Sequence, residues 1–205
     1  MKKIGFLVLL LPQANITYAD NYTTAPSGFM NGTKLYVGGS VGVSQQGDTC
    51  NDPFFEGSCD NKDTAVKVFG GARFDPMWGA EVAYNKLGKT SKNGTIGSTP
   101  ASINNTLSGI SASGVGYLPV APQIEAFGKA GAMFWNRETS QTAGGTSTSS
   151  KADGTSPLLG AGAQYQLNDN LHLRGEWEHM FNVGSDSAYE TDADQYSVGL
   201  LYSTL

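Results

Sequence analysis

Short strand-like segments recur along this chain, and their connections alternate between tight turns and long polar stretches. The tight turns fall at residues 75–76, 119–123 and 168–169. The long connections, rich in Gly, Ser, Thr and Asn, are residues 45–63, 90–105, 138–155 and 182–193. This asymmetry is typical of an up-and-down barrel in an outer membrane, which has short turns on one rim and long loops on the other. We therefore expect strands that cross a membrane.

The segments themselves alternate apolar and polar residues with the period of two that predicts half-buried strands. In residues 64–74, Val66 and Val68 oppose Lys67 and Arg73. The predicted strands are residues 33–44, 64–74, 78–89, 106–118, 124–137, 156–167, 171–181 and 194–205. Each is about ten to twelve residues long, which suits a tilted crossing of the hydrocarbon layer. The pattern predicts an all-β fold, an eight-stranded antiparallel up-and-down transmembrane β-barrel.

The first residues, MKKIGFLVLLLPQANITYA, predict a secretory signal peptide. Lys2 and Lys3 form its charged start, residues 4–11 are apolar, and residues 17–19 form a small-residue cleavage site. The apolar run is too short to span a bilayer as a helix. We expect a signal peptide at 1–19, a lead-in at 20–32 and a barrel domain at 33–205.

Charge and cysteine content limit the partners of an exported chain. The net charge of -5 provides no basic patch, so a nucleic-acid partner is not expected. Cys50 and Cys59 are close enough in sequence to form a disulfide in an oxidising compartment. A zinc site would need more soft ligands, since the neighbouring acidic residues suit harder cations. No metal or cofactor site is expected.

Charged residues on alternate positions decide which face of each strand points inward. A charge at the bilayer centre costs about 2–4 kcal/mol on the lipid side of a barrel, so the charged faces must line the lumen. Closing eight strands leaves an interior just wide enough for side chains, and buried charges need partners. The signs balance, which predicts an ion-paired core. Its candidate residues are Lys67, Arg73, Glu81, Glu125, Lys129, Arg174, Glu176 and Glu178.

Four stretches resemble the OmpA-type outer-membrane β-barrel family, and the resemblance covers essentially the whole mature chain. They are KLYVGGSVGVS at 34–44, VFGGARFDPMWGAEVAYNKLGK at 68–89, GKAGAMFW at 128–135 and LRGEWEH at 173–179. The resemblance implies that Glu81, Lys129, Arg174 and Glu176 occupy the positions of the family's lumenal ion pairs. The chain departs from the family by ending in YSTL where an aromatic residue is usual. Nothing follows the last strand, so the peptidoglycan-binding domain of some relatives is not expected.

The resemblance also implies a location and partners. The barrel is expected in the outer membrane of a Gram-negative cell with both termini in the periplasm. There it would contact outer-membrane lipids and lipopolysaccharide, after handling by periplasmic chaperones and the barrel-assembly machinery. The family suggests a structural or surface-interaction role, with possible host or surface ligands bound by the long loops.

Two other functions fit an exported barrel, whereas the residues of an enzyme active site are lacking from the sequence pattern. A small low-conductance porin requires lumenal ion pairs that can rearrange. A soluble lipocalin-like binder would place apolar residues inside, which the charged inward faces argue against. An enzyme needs a nucleophile within reach of a base, yet His172 and His179 fall on opposite faces of one strand and no Gly-x-Ser-x-Gly motif occurs. No catalytic residue is expected, and Trp78, Trp135 and Trp177 are predicted to be interface anchors and packing residues rather than parts of a ligand cage.

Overall fold

The computed structural model describes residues 32–46, 56–60, 62–96, 99–183 and 191–204. The predicted signal peptide, nearly all of the lead-in and Cys50 lie outside these residues, so the domain boundaries and the Cys50–Cys59 disulfide stay predictions. Within the described part of the chain, no helix is long and apolar enough to cross a membrane.

The described residues form one antiparallel sheet that closes on itself. Its strands are β1 (Lys34–Gln46), β2 (Glu56–Asp60), β3 (Lys62–Arg73), β4 (Trp78–Ile96), β5 (Thr99–Ala121), β6 (Ile124–Ala143), β7 (Thr146–Gln166), β8 (Leu171–Val183) and β9 (Thr191–Ser203). Strands β3 to β9 pair in sequence order, and β9 returns to pair with β1, which pairs with β3. The predicted antiparallel meander is confirmed. The short strand β2 pairs with the outer part of β4, directly before β3, and extends one wall of the barrel.

Closure of the sheet gives the backbone N–H and C=O groups of the strands hydrogen-bonding partners around the ring. A membrane requires this because lipid offers no such partner. At the seam, β1 and β9 pair from Tyr36 with Ser203 to Gln46 with Ala193. Thr204 extends the seam, since its backbone N–H donates to Leu35 O at 2.8 Å.

The short turns at one rim are held by side chains that replace backbone partners. Asp75 Oδ1 accepts hydrogen bonds from the backbone N–H groups of Met77 and Trp78 at 2.7 and 2.8 Å. Asn168 Oδ1 accepts from Asn170 and Leu171 in the same way, at 3.0 and 2.9 Å. Asp and Asn are favoured in turns for this reason, and both turns lie where the sequence predicted them.

The prediction of long loops at 90–105 and 138–155 was wrong. Strands β4 to β7 have 19, 23, 20 and 21 residues, so they continue well past the ~9–11 residues that cross a bilayer. Residues 138–155 form a paired hairpin whose turn is made by Gly144 and Gly145, at φ 56° and 85°. Positive φ at both central positions is the two-residue turn that matches strand twist. A sequence rich in Ser and Thr is common in loops, but Thr is also favoured in paired strands. Composition alone therefore predicted the wrong structure for these residues.

The two faces of the wall differ as the period of two requires. The outer face carries exposed apolar residues such as Val37, Val68 and Val82, at 56–57% exposure. The inner face holds the buried side chains, both apolar and charged. Because apolar groups on the outside are stable only against another apolar medium, this wall is built for lipid.

A bulge in β4 generates the first testable prediction. The β4–β5 register shifts between Lys86 and Lys89, and Gly88 lies in the shift at φ +79° with Asp63 side-chain atoms 2.7 Å from where a Cβ would stand. We expect Gly88→Val to lower the free energy of unfolding by about 1–3 kcal/mol, because a branched side chain is strained at positive φ. Urea unfolding in lipid vesicles, followed by tryptophan fluorescence, measures this.

The matched control for this prediction is Gly39→Val in β1. A Cβ at Gly39 would meet its nearest atom, Lys67 O, at an ordinary 3.7 Å on the lipid-facing side. The control variant should unfold like the parent chain. Equal losses in the two variants would contradict the role assigned to the bulge.

Candidate functional site

The structure places all eight charged candidates inside the barrel, in two groups. Six of them form a central cluster in which every side chain is at most 2% exposed. The central cluster consists of Lys67, Glu81, Lys129, Arg174, Glu176 and Glu178. The other two, Arg73 and Glu125, form a pair nearer the short turns, where their side chains are 20% and 24% exposed.

The central cluster is a connected network rather than a set of separate pairs. Arg174 Nη1 lies 2.8 Å from Glu81 Oε2, and Lys129 Nζ lies 3.2 Å from Glu81 Oε1. Lys67 Nζ lies 3.0 Å from Glu178 Oε2 and also contacts Glu176. Lys129 contacts Glu176 and Glu178 as well. Three cations therefore face three carboxylates, and the cluster is neutral as a whole.

These contacts join strands that are not neighbours in the sheet. Lys67 lies on β3 and Glu178 on β8, and β1 and β9 separate these strands in the wall. Lys129 on β6 reaches Glu81 on β4 across β5. The cluster thus cross-links the barrel through its interior, in addition to the hydrogen bonds that run around it.

Glycines on the inner face make room for the long charged side chains. Gly162 and Gly160 of β7 stand opposite Glu176 and Glu178 of β8. A Cβ at Gly160 would lie 2.9 Å from Lys129 Cε. The closed ring consists of the eight strands β1 and β3–β9, and an interior of that size has space only for packed side chains, so a long residue needs a short neighbour. This explains why Gly is frequent inside these strands.

An aromatic layer lies between the central cluster and the short turns. The Arg174 guanidinium carbon is 4.0 Å from the Phe127 ring centroid and 4.9 Å from that of Phe69. Tyr36 donates to Glu81 Oε2 at 3.2 Å, and Tyr117 donates to Tyr36 at 3.2 Å. Cation–π contacts and hydroxyl donors supply partners that the carboxylates alone do not. None of these aromatic residues is predicted as a site residue by the alternation of charged positions.

The Arg73–Glu125 pair closes the rim on the side of the short turns. The Arg73 guanidinium donates to both carboxylate oxygens of Glu125, at 2.8 and 2.9 Å, which is the bidentate arrangement. Gln164 Nε2 donates to Glu125 Oε2 at 2.7 Å. His172 lies close enough to both charges of this pair to interact with them electrostatically.

An apolar cluster, which the charge pattern did not predict, fills the lumen on the outer side of the charges. Its members are Leu87, Leu107, Met133, Trp135, Leu158, Met180, Val183 and Ala193. Of the two roles predicted for the tryptophans, Trp135 has the packing role, because it is 3% exposed and its indole N–H donates to Ser156 Oγ at 2.8 Å inside the barrel. The missed signal is parity: Met133 and Trp135 share the inner face of β6 with Lys129.

Together these layers obstruct the lumen twice. Along β6 the inner face runs from Glu125 at the rim through Phe127 and Lys129 to Met133 and Trp135. An ion would have to separate the paired charges and then pass a section filled by packed apolar side chains. A lipocalin-like cavity would need apolar residues around an open interior, which this packing does not offer. Among the described residues, no group of His, Cys, Asp or Glu is arranged to hold a metal ion.

His179 lies on the opposite face of β8 from His172 and contacts carboxylates. Its Nδ1 is 2.9 Å from Asp194 Oδ1, which also accepts from Trp177 Nε1 at 2.9 Å. Asp192 Oδ2 is 3.9 Å from His179 Nε2. The cluster ties the outer end of β8 to β9.

Comparison with known proteins agrees with this architecture. The family model described as the OmpA-like transmembrane domain matches residues 31–204. Outer membrane protein A of Salmonella typhi is 29% identical over 179 residues, covering 82% of this chain and 47% of that protein. Outer membrane protein A of Shigella flexneri is 27% identical over 176 residues with the same coverage. The chain therefore spans about half the length of these curated relatives.

Solved structures share the fold at low sequence identity. The outer membrane protein OprG from Pseudomonas aeruginosa has a TM-score of 0.53 at 14% identity, covering 83% of this chain and 95% of that chain. Neisserial surface protein A has a TM-score of 0.52 at 14% identity, covering 82% and 96%. Both are outer-membrane barrels by fold, and at this identity the likeness concerns the fold alone.

The central cluster generates the second prediction. We expect Glu81→Gln to lower the free energy of unfolding by about 3–5 kcal/mol, because it leaves Arg174 and Lys129 short of a buried counter-charge. Urea titration of the barrel in lipid vesicles measures the loss. Glu138→Gln is the matched control, since its partner Lys151 is 3.9 Å away and both side chains are well exposed. The control should change stability by less than about 1 kcal/mol.

A double substitution separates charge imbalance from lost packing. Glu81→Leu combined with Lys129→Met removes one charge of each sign, and buried pairs replaced by apolar residues often cost little. The double variant should be more stable than Glu81→Gln. A double variant that is the less stable of the two would show that packing, and not charge balance, dominates at this position.

Proposed function

The chain belongs to the family of OmpA-like transmembrane domains, and we propose that it works as a closed barrel whose outer hairpins interact with the cell's surroundings. It is an integral β-barrel of the cell outer membrane. In this role the lumen is closed to ions, the membrane-spanning wall acts as the scaffold, and the exposed outer end makes the contacts.

The observation that carries the closed state is the pair of obstructions in series. The central cluster has no net charge and is cross-linked between β3, β4, β6 and β8. The apolar cluster beyond it holds Leu87, Met133 and Met180, each of them fully buried. Moving an ion through both would break buried ion pairs and hydrate a packed core, and both steps are costly.

The surface role is supported by the length of β4 to β7. A membrane needs only about half of each of these strands. The remainder lies at the end opposite the short turns, which in barrels of this kind is the extracellular end. The hairpin formed by β6 and β7 there is largely exposed and rich in Ser and Thr. Such hairpins would bring host or surface ligands into contact with the barrel.

The apolar outer wall supports the partners that we propose for biogenesis and for the membrane. Exposed Trp78 and Tyr202, at 61% and 55%, lie close to the short turns, where amphipathic rings suit the lipid headgroup level. Contacts with outer-membrane lipids and lipopolysaccharide, and handling by periplasmic chaperones and the barrel-assembly machinery, are part of this proposal. We propose no catalytic step, because His172 and His179 face opposite sides of the wall and His179 contacts carboxylates.

Conductance tests the closed state. In planar bilayers the purified barrel should give no steady ion current, because both obstructions must rearrange before ions pass. A steady current that persists after repeated purification would favour the alternative, a small low-conductance porin. A porin of known conductance in the same bilayer confirms that insertion and detection work.

Surface labelling tests the orientation of the hairpins. A Thr148→Cys variant, at the outer end of β7, should react in intact cells with a polymer-linked maleimide too large to cross the outer membrane. Asp169→Cys, in a short turn at the opposite rim, should react only after the membrane is permeabilised. Labelling of both variants or of neither in intact cells would contradict the orientation.

A further inference from the structure

The outer half of β7 is an open sheet edge. Residues 146–157 pair with β6 on one side, from Ala143 with Thr146 to Ala132 with Pro157. On the other side, β8 joins β7 only from Leu158, which pairs with Met180. In the described part of the chain, no strand pairs with the free side of residues 146–155, and at Ser156 the side-chain hydroxyl donates to Asn182 O of β8 at 3.0 Å.

This edge is suited to strand addition. An unpaired edge presents a row of backbone N–H and C=O groups that can pair with another strand, and proteins usually block it with charges, bulges or prolines. Here residues 146–151 are all exposed, and most of the edge is Ser and Thr. Its charged side chains are Lys151 and Asp153, and Pro157 stands only at the end where β8 begins to pair.

We propose that this edge pairs with the same edge of a second copy of the chain, antiparallel and centred on Ala152. Pairing about Ala152 places Lys151 of each copy opposite Asp153 of the other, on the exposed face of the sheet. It covers residues 149–155, which is the larger part of the edge that β8 leaves open. Ser149 then faces Thr155, and hydroxyl-bearing pairs of this kind favour cross-strand contact.

The charge pattern selects this register over its neighbours. In a two-fold antiparallel pair, opposite residues share a face, so the centre must fall on a residue. A centre on Lys151 would set two lysines against each other, and a centre on Asp153 would set two aspartates together. Like charges directly opposite are destabilising, whereas opposite charges stabilise. Of these three adjacent registers, only the one centred on Ala152 pairs unlike charges.

Lys151 is available for such a contact. Its present partner is Glu138 on β6, at 3.9 Å, and the two side chains are 78% and 54% exposed. Exposed pairs at this separation contribute little, so exchanging Glu138 for an aspartate of a second copy loses little. Ala152 points to the other face, where it packs against the apolar cluster and supports the strand.

The symmetry of the pairing determines where the second copy lies. An antiparallel pair has its two-fold axis perpendicular to the sheet, so the second barrel points in the opposite direction. Two barrels in one outer membrane share a direction of insertion. The second copy therefore belongs to a facing membrane, and the contact is one between cells. A single edge is small, but many copies on two apposed surfaces would act together.

Single-copy nanodiscs test the pairing directly, since one copy per disc excludes contacts within a membrane. Wild-type discs should form pairs as concentration rises, measured by sedimentation velocity. Lys151→Asp leaves two acidic side chains on the edge and Asp153→Lys leaves two basic ones, so each variant alone should pair at least tenfold more weakly. An equimolar mixture of the two variants should pair again, because each then meets its complement.

A control and a fold check make every outcome decisive. Lys89→Asp changes the charge equally on β4 and should leave pairing intact, while heat-modifiable migration on a detergent gel confirms that each variant is folded. Folded wild-type discs that stay single, or a mixture that pairs no better than its components, would overturn the proposal. The inference rests on the outward orientation proposed above, but the disc experiment does not depend on it. Failed pairing and failed surface labelling are therefore distinguishable.

Discussion

Mutual neutralisation of buried charges is the constraint on which the rest of this barrel depends. Three cations and three carboxylates lie at the centre of a narrow lumen where water has little access. Each would be very unfavourable alone, and together they connect strands on opposite sides of the wall. The glycines of β7 lie opposite the carboxylates of β8 because the interior has no room for two large side chains at neighbouring positions. The need to pair buried charges therefore also determines where the strands carry small residues.

The same strands solve a second problem on their outer face. Lipid offers no hydrogen bonds, so the sheet must close and its outward residues must be apolar. Alternation along each strand meets both demands at once, with Val66 and Val68 outside and Lys67 inside. A shift of one residue would exchange the two faces, which is why the register is strongly specified. Stability and membrane compatibility arise from the same pattern.

Beyond the membrane, the wall has a different distribution of polar and apolar residues. Strands β4 to β7 continue as paired hairpins, and the lumen beneath them changes from charged to apolar. An apolar interior with polar edges is the arrangement of a water-soluble sheet protein. The barrel thus carries a soluble-like structure on a membrane base. Its free β7 edge is the part of that structure most open to another chain.

The sequence by itself determined the strands of the base, their turns and the face of each residue. Alternation in 64–74 and 171–181 and the turn residues Asp75 and Asn168 are local signals, and local signals survive without a partner. Tertiary structure alone decided what Trp135 touches and how far β6 and β7 extend. Parity assigns a residue to a face but does not say at what height the interior changes from charged to apolar. A Ser- and Thr-rich segment predicts a loop when it is considered alone. It becomes a strand when a neighbouring strand pairs with its backbone, and only the fold determines which strand is the neighbour.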